Sequence, residues 1–239
     1  MAKLKTVYLC KECGYESPKW FGKCNACGQW NTCTEEIEHK ESSAARTIPF
    51  VGSEKQKPLL LQDVITGEDP RVDMHNGELN RVLGGGLVKG SLVLLGGEPG
   101  IGKSTLMLQT ALQLPSMRIL YVSGEESARQ LKLRAERITK EYGDCYIISE
   151  TSLEQIFSHI INIQPELVVI DSIQTISTET IDSSPGSLVQ VRECTAMLLK
   201  FAKETQTPVF IVGHITKDGT IAGPKTLEHM VDTVLQFEG

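Results

Sequence analysis

The sequence predicts an α/β domain with a mainly parallel sheet, preceded by a small metal-binding unit with four cysteine ligands. From about residue 59 onward, short apolar runs alternate with helical patterns, as they do in repeated β-α-β units. Residues 1–33 contain cysteines paired at C-x-x-C spacing, and a polar stretch with two prolines separates them from the rest. We therefore expect a cysteine-rich unit at 1–33, a linker at 34–58 and the α/β domain at 59–239.

Composition and targeting signals place the chain among soluble proteins. Of its 239 residues, 40% are hydrophobic and 23% are charged, which is ordinary for a globular protein. No apolar run reaches the length of about 18 residues that a transmembrane helix needs. The first residues, MAKLKTVYLC, reach a cysteine before the apolar segment of a signal peptide could form. We expect a cytoplasmic protein without membrane association, whose seven cysteines are thiols or metal ligands rather than disulfides.

The net charge of −6 is distributed unevenly along the chain. Residues 1–34 carry five lysines against two glutamates, a net charge of +3, which leaves −9 for residues 35–239. An acidic total disfavours a protein that coats nucleic acid through bulk charge, although local basic surfaces remain possible.

The cysteine-rich unit has the spacing C-x-x-C-x10-C-x-x-C. A glycine follows each pair, which lets the backbone turn and present N–H groups to the thiolates. Four thiolates complete a tetrahedral site, a set that selects Zn²⁺ or iron–sulfur chemistry. We favour a structural Zn²⁺ site because no ligand position is left open. Its ligands are Cys10, Cys13, Cys24 and Cys27.

Aromatic residues are concentrated in the same unit, and they allow two interpretations. With interleaved lysines they could form a base-stacking platform or a face for a protein partner. Alternatively they form a small core over the zinc, which so short a unit needs, and we favour this interpretation. The aromatic residues are Tyr8, Tyr15, Trp20, Phe21 and Trp30.

The elements of the α/β domain follow from runs of residue types. Continuous apolar runs predict strands buried on both faces, and amphipathic stretches between them predict helices. The expected strands are 91–97, 118–124, 145–149, 167–171, 209–213 and 233–237. The expected helices are 103–114, 127–141, 152–163 and 187–205.

The segment GEPGIGKST fits the phosphate-binding pattern G-x-x-x-x-G-K-[ST], and it lies between an expected strand and an expected helix. Backbone N–H groups of such a loop cradle phosphate oxygens of ATP. Lys103 is expected to reach the β- and γ-phosphates, and the Ser104 hydroxyl to ligate Mg²⁺. The nucleotide-binding residues are Gly97, Glu98, Pro99, Gly100, Ile101, Gly102, Lys103, Ser104 and Thr105.

Three further strand ends carry polar groups suited to ATP hydrolysis. Asp171 ends the run LVVID and can hold the Mg²⁺ through water. Glu125 and Glu126 follow the strand at 118–124, and we favour Glu125 as the base that activates water. Acidic residues are also common at the start of a helix because they interact favourably with its dipole, and this accounts equally well for the presence of Glu126. His214 ends another strand and is expected to sense the γ-phosphate. Glu125 and His214 join the loop lysine as the expected catalytic residues.

In their order along the chain, these motifs resemble the bacterial RadA/Sms family of RecA-like DNA repair ATPases. The resemblance covers nearly all of the chain. It is carried by YLCKECGYESPKWFGKCNACGQWNT, GELNRVLGGGLVKGS, GGEPGIGKST, YVSGEES, VVIDSIQT and GHITKDGTIAGPKTLEHMVDTVLQFEG. It implies a RecA-like P-loop NTPase core, assembly into a homo-oligomeric ring, and ATP hydrolysis stimulated by single-stranded DNA. It also implies movement along single-stranded or branched DNA, branch migration of recombination intermediates, and the RecA recombinase as a partner.

The resemblance also indicates where DNA would bind. The segments near 174–187 and 215–225 correspond to the two loops that RecA-like proteins direct at DNA. The basic residues on and around these loops are the expected contacts: Arg192, Lys200, Lys217 and Lys225.

One departure from the family leaves other functions open. Family members continue past the equivalent of Gly239 through a K-N-R-F-G motif and a domain similar to the Lon protease domain. We therefore expect a fragment or a truncated family member. A nucleotide-dependent binding module without catalysis is the first alternative. A small-molecule kinase is the second, although the core lacks the Arg-rich lid of such enzymes.

Overall fold

The computed structural model describes residues 5–10, 15–17, 19–38, 60–63, 71–214 and 227–238. The strands in these ranges are β1 (Lys5–Cys10), β2 (Glu16–Ser17), β3 (Cys33–Glu38), β4 (Leu92–Gly97), β5 (Ile119–Ser123), β6 (Cys145–Ser149), β7 (Leu167–Asp171), β8 (Val209–His214) and β9 (Thr233–Phe237). The α-helices are α1 (Gly77–Val82), α2 (Lys103–Leu112), α3 (Ala128–Ile138), α4 (Leu153–Ile163) and α5 (Leu188–Thr205). Short 3-10 turns lie at Leu61–Asp63 and Ile173–Thr175.

Six strands form one parallel sheet in the order β6-β5-β7-β8-β4-β9. Each of the six apolar runs became a strand, with bounds within one residue of those expected. Helices α2 and α3 end two and three residues earlier than expected, and Thr139 caps α3 in an extended conformation. The predicted α/β class with a mainly parallel sheet is confirmed.

The four central strands of the sheet are buried between two helical layers, which explains their continuous apolar sequences. The edge strands β6 and β9 are partly exposed, so the expected burial of both faces is wrong for these two. Leu92 and Leu94 of β4 belong to a core cluster with α4 and α5. Val93 and Leu95 belong to the other cluster, with α1, α2 and α3. Because successive strand side chains point to opposite faces, one apolar run supplies both cores. Burying each such side chain stabilises the fold by about 1.5–3 kcal/mol.

Helix starts differ in how their backbone N–H groups are satisfied. Ser127, Ser152 and Ser187 cap α3, α4 and α5, and each side-chain oxygen accepts a hydrogen bond from the N–H three residues later. Helix α2 begins after Gly102, which offers no side-chain cap. The first-turn N–H groups of α2 therefore remain available to a ligand.

A second, antiparallel sheet lies in the cysteine-rich unit, with the order β2-β1-β3. The strand β3 pairs along the whole of β1, from Lys5↔Glu38 to Cys10↔Cys33. Residues 34–38, which the sequence placed in the linker, therefore belong to this sheet. The sequence TEEIE is too polar to be recognised as a strand. It forms one because β1 supplies hydrogen-bonding partners for its backbone. The other domain bounds stay predictions, since most of the linker lies outside the described residues.

The helices were also compared with the length and apolar character that a membrane span requires. Within the described ranges, none of them is both long enough and apolar enough to cross a bilayer.

Candidate nucleotide site and metal centre

The carboxyl ends of four neighbouring parallel strands form the candidate nucleotide site. The phosphate-binding loop follows β4, and β7 ends at Asp171. Between them β8 ends at His214, and Glu125 follows β5 on the far side of β7. Parallel sheets bind ligands at this edge, where connections to the two helical layers diverge.

The backbone of the phosphate-binding loop needs glycine at defined positions. Gly100 and Gly102 have φ values of 77° and 114°, a region that other residues rarely adopt. A Cβ on Gly97 would lie 2.6 Å from the carbonyl oxygen of Phe237 on the neighbouring strand β9. The pattern of glycines in the motif is therefore explained by the loop geometry and by strand packing.

Lys103 is buried at the start of α2, and its ammonium contacts the loop itself. Its Nζ donates to the carbonyl oxygens of Gly97 at 2.8 Å and Glu98 at 2.7 Å. Burial lowers the pKa of Lys103, while the charges of Asp171 and Glu125 act in the opposite direction. A bound polyphosphate would offer this cation stronger acceptors than two neutral carbonyls.

Asp171 and Ser104 supply oxygen ligands suited to Mg²⁺. The Ser104 hydroxyl donates to Asp171 Oδ1 at 3.0 Å, so the two groups that the sequence assigned to the metal are in contact. Asp171 is buried, and hard oxygen donors of this kind are those that Mg²⁺ prefers. These residues fit the ion and would hold it beside the phosphates.

Tyr121 is a member of the site that the sequence analysis missed. Its hydroxyl donates to Asp171 Oδ2 at 2.6 Å and lies 3.3 Å from the carbonyl oxygen of Ser104. Burial, and then the charge of Asp171, raises the pKa of Tyr121 well above its usual value, so the phenol keeps its proton. A tyrosine inside an otherwise aliphatic buried strand could have signalled this partner, because buried hydroxyls are normally hydrogen-bonded.

Glu125 is held at the same edge by two groups. The Ser172 hydroxyl donates to Glu125 Oε1 at 2.8 Å, and His214 Nε2 lies 3.3 Å from the same oxygen. The Glu125 side chain is 50% exposed, which leaves its second oxygen accessible to water. Ser172, next to Asp171 across a cis peptide bond, was not identified from sequence.

Glu126 takes a different role from Glu125. Its carboxylate forms an ion pair with Arg134 on α3, and the side chain is 22% exposed. Its backbone carbonyl accepts a hydrogen bond from Ser149. The structure therefore brings Glu125, and not Glu126, together with His214.

Two of the four expected DNA contacts lie in the part of the chain that the structure describes. Arg192 and Lys200 are exposed on α5, and Lys200 Nζ lies 3.9 Å from the Glu204 carboxylate. Lys217 and Lys225 lie outside the described residues. No common surface for the four residues can be drawn from the described ranges.

Three cysteines of the N-terminal motif form one cluster. The sulfur atoms of Cys10, Cys24 and Cys27 lie within 4.8 Å of one another. The Cys10 and Cys27 sulfurs are 3.7 Å apart, close to the separation of about 3.8 Å that tetrahedral Zn–S bonds of about 2.3 Å produce. Gly28 follows the second pair with φ 74°, as the expected turn requires. Cys13, the fourth predicted ligand, lies outside the described residues.

The expected aromatic core over the zinc is wrong for the tryptophans. Trp20 is 66% exposed and Trp30 is 68% exposed. Among the described residues of the unit, Tyr15 and Phe21 form an edge-to-face pair at 5.9 Å, the kind of contact expected of a core. A unit held by metal ligands does not require all of its large side chains to be buried.

Comparison with known proteins identifies both parts of the chain. Residues 56–220 match the model of the AAA domain family, and residues 8–35 match a rubredoxin metal binding domain. Proteins named DNA repair protein RadA are 56% identical in Bacillus subtilis (strain 168), 52% in Halalkalibacterium halodurans and 51% in Streptococcus pyogenes serotype M6. These matches cover 100% of this chain and 52–53% of the relatives, so the chain spans about half of their length.

The comparisons confirm several sequence-based expectations. The resemblance to the RadA/Sms family is borne out by the names and identities of the relatives. The AAA domain implies ATP and Mg²⁺ as cofactors. The metal binding domain, together with the cluster of cysteine sulfurs, supports Zn²⁺.

Proposed function

Because this chain belongs to the AAA domain family, we propose that it is an ATPase of DNA repair that hydrolyses ATP at the carboxyl edge of its parallel sheet. One observation carries the proposal. A half-exposed carboxylate, Glu125, is held by Ser172 and His214 at the edge that also bears the phosphate-binding loop and the buried carboxylate of Asp171. A site built only to bind nucleotide would not need a positioned base.

Different residues of this edge bind the phosphates and the Mg²⁺. The uncapped N–H groups at the start of α2 bind the phosphates together with the loop amides from Gly97 to Thr105. Lys103 leaves the loop carbonyls and donates to the β- and γ-phosphates. Ser104 and Asp171 hold Mg²⁺, which when bound neutralises charge on the phosphate oxygens.

Proton transfer falls to Glu125. Its free oxygen accepts the proton of the water that attacks the γ-phosphorus, while Ser172 fixes the carboxylate through the other oxygen. His214 Nε2, on the strand between the phosphate-binding loop and Asp171, donates to the γ-phosphate and reports its presence to the segment that follows. His214 Nδ1 is buried without a hydrogen-bond partner in the described residues.

DNA is the proposed effector of this hydrolysis, in keeping with the name of the relatives. We extend the proposal to single-stranded or branched DNA as the polymer bound and to branch migration of recombination intermediates as the work performed. Arg192, Lys200, Lys217 and Lys225 are the proposed contacts in the core. Several subunits of a homo-oligomeric ring would place the same groups around one strand, and the RecA recombinase is the proposed protein partner.

The test is the rate of ATP hydrolysis with and without single-stranded DNA. It is measured on this chain and on a form extended through the K-N-R-F-G motif. We expect stimulation by DNA in the extended form and weaker stimulation in the chain as it stands. ATP binding without hydrolysis in both forms would instead assign a nucleotide-dependent binding module. Transfer of the phosphate to an added small acceptor would assign a kinase.

A further inference from the structure

The two tryptophans of the zinc unit both lie close to one half-buried glycine. A Cβ on Gly22 would lie 3.4 Å from Cη2 of Trp20 and 4.0 Å from Cζ3 of Trp30. The backbone N–H of Asn31 donates to the Gly22 carbonyl at 2.8 Å, which keeps the two segments side by side. Both indoles are about two-thirds exposed, so large flat apolar surfaces face solvent next to a position without a side chain.

The surroundings of these rings are basic and polar. Lys23 Nζ lies 5.7 Å from the centroid of the Trp30 ring, within the range of a cation–π contact. Residues 19–33 contain two lysines and no acidic residue, in a chain whose remaining residues after 34 sum to −9. Within this segment the two lysines are unopposed, whereas the glutamates of β3 bring the net charge of residues 1–38 to zero.

We propose that Trp20, Gly22, Lys23 and Trp30, which we call the tryptophan face, form a stacking site for the bases of single-stranded nucleic acid. Exposed indoles offer a surface that any base can stack on, and adjacent lysines attract the phosphates. The proposal rests on the proposed function for its biological setting, but it concerns a site separate from the nucleotide edge.

Charge decides in favour of nucleic acid over a protein partner. An exposed tryptophan pair alone would suit either occupant. The polymer that best matches aromatic planes flanked by lysines, in a segment (residues 19–33) without acidic residues, is a chain of bases and phosphates. Asn25, Gln29 and Asn31 are exposed in the same stretch and can hydrogen-bond to base edges without imposing charge.

Intrinsic fluorescence tests this site directly, because Trp20 and Trp30 are the only tryptophans in the chain. The full chain is titrated with an oligothymidylate of about 16 nucleotides and with an abasic oligomer of the same length and charge. We expect the oligothymidylate to quench the emission and the abasic oligomer to leave it nearly unchanged. Equal quenching by both would overturn stacking, since it would follow from charge alone.

Substitutions distinguish the contribution of the indoles to DNA binding from that of the rest of the unit. Trp20→Ala and Trp30→Ala should each weaken DNA affinity at least about fivefold, measured by anisotropy of labelled DNA. Gly22→Val places a side chain at ordinary contact distances from both rings and should weaken it as well, with one equivalent of zinc retained. Tyr146→Ala, an exposed aromatic on β6, is the matched control and should bind like the parent.

The outcome for this site is distinguishable from that for the proposed function. DNA binding that leaves the tryptophan emission unchanged and survives all three variants would overturn the tryptophan face. The same result with DNA-stimulated ATP hydrolysis intact would leave the proposed function standing, with its DNA contacts in the core.

Discussion

The nucleotide edge and the zinc unit differ in what keeps their functional residues in place. At the nucleotide edge the polar groups are buried and the sheet positions them: Lys103 is 3% exposed, Asp171 is 5% exposed and Tyr121 is fully buried. In the zinc unit the cysteines Cys10 and Cys24 are buried, while the largest apolar side chains face solvent. The core folds by burying apolar surface, and its site follows from the fold. In the zinc unit, metal binding and folding are coupled, because the metal ligands replace most of the apolar core.

The difference predicts what a single substitution should cost in each region. In the core, removal of one site residue should abolish chemistry and leave the fold intact, because two apolar clusters support it. In the zinc unit, removal of one ligand should unfold the unit, because little else holds it.

The largest effect is expected for Cys24→Ser. Loss of one thiolate should release the metal, whose binding in such small units contributes on the order of 10–16 kcal/mol of apparent folding energy. Residues 1–38 should become sensitive to limited proteolysis while ATP binding by the core persists. Cys33→Ser, at a cysteine outside the paired motif, is the control and should keep one equivalent of zinc. Retention of one equivalent by Cys24→Ser would refute the assigned ligand set.

The second effect concerns Lys103→Ala, the corresponding deletion in the core. It removes the ammonium that would bind the β- and γ-phosphates, so ATP affinity should fall and hydrolysis should be lost. The thermal unfolding midpoint should change little, which is the contrast with the zinc unit. Lys89→Ala removes an exposed lysine and should match the parent. Nucleotide binding by Lys103→Ala as tight as the parent's would contradict the site.

A smaller effect is expected for Tyr121→Phe, which deletes only the hydroxyl that donates to Asp171. A buried acceptor that loses its donor costs about 1–3 kcal/mol. Because Asp171 is the proposed Mg²⁺ ligand, the Mg²⁺ concentration for half-maximal hydrolysis should rise about 5- to 10-fold. Tyr146→Phe on the sheet edge is the control. An unchanged Mg²⁺ midpoint would mean that Tyr121 supports only packing.

The smallest effect is a pH dependence of nucleotide affinity. Burial lowers the pKa of Lys103 in the free protein, whereas a bound polyphosphate would raise it. Binding therefore takes up a proton on the alkaline side, and affinity should fall as the pH rises through the lowered pKa. The fall is at most about tenfold per pH unit for one proton. Lys103→Arg stays charged in this range and should abolish that dependence, as titration calorimetry at several pH values can show.

Sequence patterns predicted the core well because its signals are local. Every strand of the parallel sheet was predicted from a short, mainly apolar run, and the phosphate-binding loop is recognised from adjacent residues. The sequence assigned Ser104 and Asp171 to the same Mg²⁺, and their contact agrees with that prediction because strand ends of a parallel sheet share one edge. The choice of Glu125 over Glu126 agrees with the geometry, although the catalytic role remains a prediction.

What escaped the sequence depends on contacts between distant segments. Tyr121 donates to Asp171, 50 positions away along the chain, and Ser172 donates to Glu125, 47 positions away. No local sequence pattern predicts contacts between residues so far apart. The strand β3 was assigned to a linker because its residues are polar and its partner β1 lies far upstream. The exposure of both tryptophans was misjudged for a related reason, since composition cannot say which side of a small unit its aromatics occupy.

The most direct test of a hydrolytic nucleotide edge is to compare Glu125→Gln with Glu126→Gln under saturating ATP and Mg²⁺. Each substitution keeps the shape of the side chain and removes its charge. We expect Glu125→Gln to bind ATP like the parent and to hydrolyse it about 10²- to 10⁴-fold more slowly, the usual contribution of a general base. Glu126→Gln should lose only its ion pair with Arg134 and retain most of the rate. Normal hydrolysis by Glu125→Gln with loss in Glu126→Gln would contradict the account.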